Sequence, residues 1–419
     1  MTPRPCKGAI WRYRMGERIV VTGMGAVTPL GIGVEEYWNN LIGGKSGVDA
    51  ITRFDAGGLA VRIAAEVRGF KPERYLPRKL ISQTDAFTQY AYAAAEETFG
   101  GQPLPAEPER VGIVMGTAMA GITTTAATQE ILTNAVHKNV GPRFVPRILG
   151  NIAAAQIAIA HDIRGPSLTV STACASGGDA ITAAAGLLRS GEADAVLAVG
   201  AESILCPLVI YSLANSQALS RSNSDPLHAA RPFDVQRNGF VIGEGGGALL
   251  LETESHARDR GAAIYAELAG WANNNDAYHV TDPDPEGTMA AACMRQAMQK
   301  AGLKPEEIGY INAHGTGTQA GDAAEAVAIQ TVFGGNRPRI SSTKGATGHM
   351  MGAGGITEAI ACIQALRTGI LPPTLNLTQP EAEFHFVTGQ AEQAEVTAAM
   401  TNAFGFGGQN SSLVFRRFP

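Results

Sequence analysis

The chain is short of charge, of aromatic residues and of patterned cysteine. Charged residues make up 17% of its 419 positions and aromatic ones 6%, and the net charge is −5. A weakly acidic balance gives no basic footprint for general nucleic-acid binding. No apolar run reaches the length needed to span a bilayer. The five cysteines, at 6, 174, 206, 293 and 362, are odd in number and widely spaced. That excludes a disulfide framework or a CxxC metal site and suits a reducing cytoplasm. Residues 1–17 carry Arg4, Lys7, Arg12 and Arg14 but lack an apolar segment of signal-peptide type. The arm is a disordered or partner-binding extension, a short transit peptide, or an over-extended start with Met15 as the true first residue.

Hydrophobic residues (45%) and fifty glycines are what the chain has in quantity. The first allows a large core and more than one compact unit, and the second implies many tight turns. Short apolar stretches alternate with longer helical ones, the signature of an α/β fold with parallel strands. Arg18–Gly23, Val111–Gly116, Ala195–Gly200 and Ile308–Ala313 read as buried strands. Thr84–Phe99, Thr288–Ala301 and a segment from Ala175 to Arg189 read as helices.

An internal echo organises the chain. Ser167–Gly177 (SLTVSTACASG) resembles Arg339–His349 (RISSTKGATGH): strand, Ser-Thr, turn, helix. Arg18–Gly25 pairs with Ile264–Gly270, Val111–Gly116 with Ile308–His314, and Val241–Glu252 with Gly405–Arg416, in the same order. The reading is an N-terminal half over 18–255 and a C-terminal half over 256–419, without a long linker. If the halves pack about a pseudo-twofold, Cys174, His314 and His349, each following a strand-like segment, converge on one cleft.

Cys174 is the candidate nucleophile. It precedes an alanine-rich helix, whose N-terminal N–H groups and dipole favour a thiolate. A helix term of up to ~2 kcal/mol brings a free thiol from about 8.5 to roughly 7. His314 opens a Gly/Thr loop, HGTGTQAGD, and His349 closes STKGATGH. The other histidines, at 137, 161, 228, 256, 279 and 385, have no comparable setting and are taken as surface or core residues.

These segments, with Asn402–Asn410 (NAFGFGGQN), Val21–Gly33 (VTGMGAVTPLGIG) and Arg231–Gly245 (RPFDVQRNGFVIGEG), resemble the β-ketoacyl-ACP synthases of the thiolase superfamily, above all the elongating ketosynthase II type. The match runs from Arg18 to Phe415. The resemblance implies a thiolase-like fold, a duplicated five-layered αβαβα arrangement with pseudo-twofold-related halves. It implies a decarboxylative Claisen condensation, in which malonyl-ACP extends an acyl group held as a thioester on Cys174. His314 and His349 would donate hydrogen bonds to the enolate, and the N–H groups of Cys174 and Phe406 would form the oxyanion hole.

By the same resemblance Lys344 keeps His349 neutral, and Glu325 belongs to the network holding Lys344 and its loop. Thr316 and Thr318 would bind the pantetheine arm, Phe404 and Phe406 would gate acyl entry, and Met119 would line the acyl pocket. Arg78, Lys79 and Arg221 would receive an acidic acyl carrier protein. The pantetheine travels on that carrier, so no cofactor and no metal is implied; a homodimer is. Two departures stand out: Asn238 where the family commonly has Asp, and Ala120 where many relatives have Gly, which would narrow the acyl pocket.

No cysteine follows Cys362, which argues against a biosynthetic thiolase, and His349 argues against the Cys-His-Asn synthases. A papain-like hydrolase would not need HGTGT or GFGG. A dinucleotide site at Thr22–Gly25 fails on spacing, because Thr28 stands where a third Gly belongs. A chain-length-factor-like subunit would lack the nucleophile. A ketosynthase for polyketides or other secondary products shares every motif and stays open.

Overall fold

The structure is a computed structural model describing residues 16–134, 140–336 and 338–419. The arm expected over 1–17 lies almost wholly outside these residues, as do Cys6 and His137.

Ten strands carry the architecture. In chain order they are β1 (Ile19–Thr28), β2 (Val111–Gly116), β3 (Ser167–Val170), β4 (Ala195–Glu202) and β5 (Gly245–Thr253), then β6 (Ala266–Asn275), β7 (Tyr310–Asn312), β8 (Arg339–Ser341), β9 (Ala398–Gly405) and β10 (Gln409–Arg416). The first five lie in the order 3-2-4-5-1, and the second five, 8-7-9-10-6, repeat that order. Pairings repeat as well. β2 is parallel to β3 and β4, as β7 is to β8 and β9, and β5 and β10 run antiparallel to their neighbours. Three antiparallel pairs, Ile19↔Leu268, Val20↔Glu267 and Val21↔Ala266, join the two sheets edge to edge. Every residue of β2, β4 and β5 is buried, as strands covered on both faces require.

Five helices complete the layers: α1 (Ala86–Phe99), α2 (Ser176–Arg189), α3 (Thr288–Ala301), α4 (Gln319–Phe333) and α5 (Gly354–Thr368). Asp85 caps α1 by accepting from the Phe87 N–H at 3.2 Å, and left-handed Gly100 ends it. α1 covers β1 and β5 on one outside, and α3 covers β6 and β10 on the other, beside α4. α2 and α5 form the middle layer, α2 against β4 and β2 and α5 against β9 and β5. This is the thiolase-like five-layered duplication. The middle layer is thin because its helices meet at glycines. A Cβ on Gly355 would stand 2.4 Å from the Gly178 N, and one on Gly177 2.8 Å from the Gly352 O. Apolar groups from both halves, among them Ile181, Leu188, Ile356 and Ile360, fuse there into one core.

Strand and helix bounds follow the sequence pattern closely. β2 and α3 fall on the expected residues, α2 starts one residue later, and β1 and β4 run further than their apolar runs. No described helix is long and apolar enough to cross a membrane.

Candidate active site

Cys174 sits in a 3-10 turn, Ala173–Ala175, between the end of β3 and the start of α2. Ala173 is left-handed (φ 50°), which turns the chain sharply and directs the thiol inward. From the other half, His314 follows β7, and His349 follows the short helix Lys344–Thr347 beyond β8. The cleft between the halves brings the three together. Nε2 of His349 is 3.0 Å from Sγ of Cys174. The imidazoles of His314 and His349 lie 5.4 Å apart, edge to face at 85°. They border a cavity of about 750 Å³ with Thr316, Thr318, Phe404, Phe406 and Arg221.

Electrostatics sets these groups differently from what the helix argument predicts. Burial pushes the Cys174 thiol up to about 11, outweighing the downward pull of Lys344 and of the Phe406 and Cys174 N–H groups. The expectation of a thiol near 7 is therefore corrected: it counted the helix and not the desolvation. Both histidines are held well below the ordinary imidazole range, first by burial and then by Lys344. Their rings are neutral at physiological pH, with Lys344 the secondary cause.

Lys344 is buried and its Nζ binds Glu358 of α5 at 2.5 Å. Glu325 acts on Lys344 through its charge and not by a direct hydrogen bond. Its two oxygens accept the N–H groups of His314 (2.8 Å) and Gly315 (2.7 Å), so it holds the histidine loop. Burial raises Glu325 to about 7. Asp322 tightens the same loop, accepting from the Gly317 N–H at 3.0 Å and the Phe233 N–H at 2.7 Å. The hydroxyls of Thr316 and Thr318 are 3.1 Å apart, and Thr318 also caps α4.

The GFGG loop is anchored to the segment after β6. Gly407 N–H donates to the Val280 O at 2.6 Å, and Asp276 N–H to the Gly408 O at 2.9 Å. Gly405 is a close-approach glycine, since a Cβ there would lie 2.9 Å from the Thr172 O and 3.0 Å from the Cys174 N.

Met119 lies apart from this cavity and is 45% exposed. The turn after β2 wraps the buried carboxylate of Glu202, which takes the N–H groups of Ala118 (2.6 Å) and Met119 (3.1 Å). The residue beside the thiol is Met351, whose Sδ is 3.9 Å from Sγ. Ala120 adopts a left-handed φ of 47° and is also absent from the cavity wall. Asn238 borders the cavity and donates to Ser222 at 3.2 Å. Arg78 and Lys79 are exposed on the short helix Arg78–Ile81 and do not border the cavity, whereas Arg221 does.

Sequence reasoning missed Glu358, Glu202 and Met351. Glu358 is the one acidic residue of α5 and lies in its buried stretch, and Glu202 closes an otherwise apolar strand. A lone carboxylate in such a setting signals a buried partner.

A duplicated thiolase-like fold, with a cysteine from one half facing two histidines of the other, defines the class of thiolase-fold acyltransferases. Models of the β-ketoacyl synthase N-terminal and C-terminal domains match residues 16–257 and 265–378. A 3-oxoacyl-[acyl-carrier-protein] synthase 2 of Coxiella burnetii is 40% identical over 407 residues, covering 96% of this chain and 98% of its own. The crystal structure of a β-ketoacyl synthase from Burkholderia phymatum superposes with a TM-score of 0.89 at 33% identity, covering 96% of this chain and 100% of that one. A type II polyketide ketosynthase in complex with its acyl-carrier protein gives 0.87 at 33% identity with the same coverage. The chain belongs to the β-ketoacyl synthase family.

Proposed function

We propose that this chain is an elongating β-ketoacyl-ACP synthase that condenses malonyl-ACP with an acyl group carried on Cys174, lengthening it by two carbons. The observation that carries the reading is the 3.0 Å approach of His349 Nε2 to Cys174 Sγ, with His314 beside it in one cavity.

In the first half-reaction Sγ attacks the acyl thioester carbonyl. The thiol proton leaves with the departing pantetheine sulfur, and the new thioester forms on Cys174. With its proton on Nε2, His349 donates to the sulfur and favours the developing thiolate. The tetrahedral oxyanion would be received by the N–H groups of Phe406 and Cys174, a reading supported by the downward pull of both groups on the thiol. In the second half-reaction malonyl-ACP loses carbon dioxide, and the electron pair left behind becomes an enolate. Two neutral imidazole N–H groups stabilise its oxygen without protonating its carbon. The carbanion attacks the acyl carbonyl, a C–C bond forms, and the C–S bond to Cys174 breaks. The thiolate recovers a proton from solvent.

Lys344 with Glu358 supplies a fixed charge beside the rings, and Glu325 holds the loop bearing His314. Thr316 and Thr318 grip the pantetheine amides, and Phe404 and Phe406 flank its path. Arg221 at the cavity meets the carrier, with Arg78 and Lys79 as an outlying basic pair. The pantetheine comes with the carrier and serves as the only prosthetic group. Residues 18–255 then supply the nucleophile and 256–419 both histidines.

A homodimer is supported by β3. Among the described residues it is an edge strand with one side unpaired, its own Leu168 and Ile159 of the helix packed beside it both exposed, the kind of edge a second copy covers. The four described cysteines are free, which fits a reducing cytoplasm.

Incubation with a panel of acyl-ACPs and malonyl-ACP, with products read by mass, tests the reading. One added two-carbon β-keto unit is expected. Repeated unreduced extension would assign the polyketide role instead, and no extension of any acyl-ACP would overturn the function.

A further inference from the structure

The same three side chains form a constellation with a second chemistry. One sulfur and one nitrogen from each ring, at Cys174, His314 and His349, all lie within 4.8 Å of one another. Among the described residues no other group of three His, Cys, Asp or Glu side chains meets that condition. We propose that this cluster is also a binding site for a divalent d-block cation of borderline softness, Zn²⁺ fitting best, held by Sγ and the two imidazoles with its fourth position open to the cavity.

The donor set favours Zn²⁺ over harder cations, since thiolate and imidazole suit it and no carboxylate or carbonyl takes part. Zn–S near 2.3 Å and Zn–N near 2.0–2.1 Å put the ligand atoms of a tetrahedral site about 3.3–3.6 Å apart. The 3.0 Å Cys174–His349 pair must therefore open by about half an ångström, and a pair at the 4.8 Å limit must close by about 1.2–1.5 Å. Side-chain torsions absorb shifts of that size.

The charge around the site is mixed, since Lys344 acts as a cation on all three ligands. The ammonium of Lys344 is already matched by Glu358 at 2.5 Å. Two further buried carboxyls stand close by, Glu202 acting on Cys174 and Glu325 holding the His314 backbone; burial raises both to about 7, so each is partly ionised at neutral pH, and among the described residues neither has a cation bonded to it. Three-ligand sites with an open fourth position are the form in which Zn²⁺ keeps a water.

Binding breaks the S–H bond of Cys174 and makes an S–Zn bond. One proton goes to solvent, the proton of each ring shifts to the nitrogen turned away from the ion, and nothing is oxidised or reduced. The sulfur lone pair is then engaged, so the bound cation excludes acylation of Cys174. The site rests on the geometry of the three side chains and not on their roles in condensation.

The test uses the full chain, stripped with a chelator and titrated with Co²⁺ and then Zn²⁺. Expected are one ion per chain, a thiolate-to-cobalt charge-transfer band with tetrahedral d–d absorption, one proton released per ion, and displacement of Co²⁺ by Zn²⁺. Cys174→Ser abolishes the charge-transfer band and weakens Zn²⁺ binding by more than about a hundredfold, the upper end of what losing an orienting partner costs. Zn²⁺ also slows alkylation of Cys174 by iodoacetamide in the unaltered chain, a readout that needs no variant to fold. Failure of the folded wild-type chain to take up either ion overturns the proposal, as does a charge-transfer band that survives Cys174→Ser. No turnover is measured. A chain that binds Zn²⁺ but extends no acyl-ACP keeps the site and loses the proposed function, and the converse result does the reverse.

Discussion

Replacing Lys344 by Met leaves Glu358 buried, 3% exposed, without the ammonium now bonded to it. Breaking a buried pair from one side costs about 3–5 kcal/mol. Glu358 can reduce that loss only by taking up a proton. Burial already raises its carboxyl above the ordinary range, and Lys344 holds it partly down. Removing Lys344 raises it further. A carboxyl raised in the folded state contributes stability at low pH and loses it as pH climbs toward the folded value. The variant must therefore fall away from the wild type as pH rises, by about 1.4 kcal/mol for each unit that separates the two folded values. Urea unfolding at about pH 5 and about pH 8 reads this directly: the deficit of Lys344→Met should be the larger at the higher pH. The double variant Lys344→Met/Glu358→Leu should recover most of the loss, because an apolar pair of similar volume needs no desolvation. A deficit that is equal at both pH values, or below about 1 kcal/mol at the higher one, would refute the claim that this pair is buried and coupled.

The remaining expectations concern the thiol and its neighbours. With Cys174 pushed up to about 11, its alkylation by iodoacetamide should keep accelerating through alkaline pH; a plateau near neutrality would show that a thiolate already dominates. Cys174→Gln should still decarboxylate malonyl-ACP while forming no condensation product, measured as carbon dioxide release against product mass; loss of both would point to a structural role for the cysteine. His349→Ala should retain acyl-enzyme formation and lose decarboxylation, by labelled acyl transfer and carbon dioxide release. Gly405→Ala drives a methyl to within 2.9–3.0 Å of the Thr172 O and Cys174 N, so acylation should slow at least tenfold, about 1.4 kcal/mol. An unchanged acylation rate would mean that the turn yields at no cost.

The convergence of Cys174, His314 and His349 was legible because each closes a strand-turn-helix segment that the chain writes twice, and a repeated segment implies a repeated place. The paired segments fall on β1 and β6, β2 and β7, β3 and β8, and β5 and β10, which occupy equivalent positions in the strand order. What the sequence hid was burial. The helix behind Cys174 is visible in the residues, but the desolvation that overrides it belongs to packing from both halves. The turn at Met119 matches a local motif, but what holds its backbone is Glu202, 83 residues away in sequence. Glu358 escaped notice because it lies in mid-helix with no motif around it, and only the fold brings it to Lys344.

The glycine contact between α2 and α5 has a consequence for how such a protein can change. The distance from thiol to imidazole is a property of the boundary between two repeats, and it is set where backbone touches backbone at Gly177, Gly178 and Gly355. Neither repeat carries a working fragment of the site that could drift on its own. Any bulk gained by one helix at that seam must be matched by space yielded by the other, so the two copies of the motif are free to diverge everywhere except along the line on which they meet.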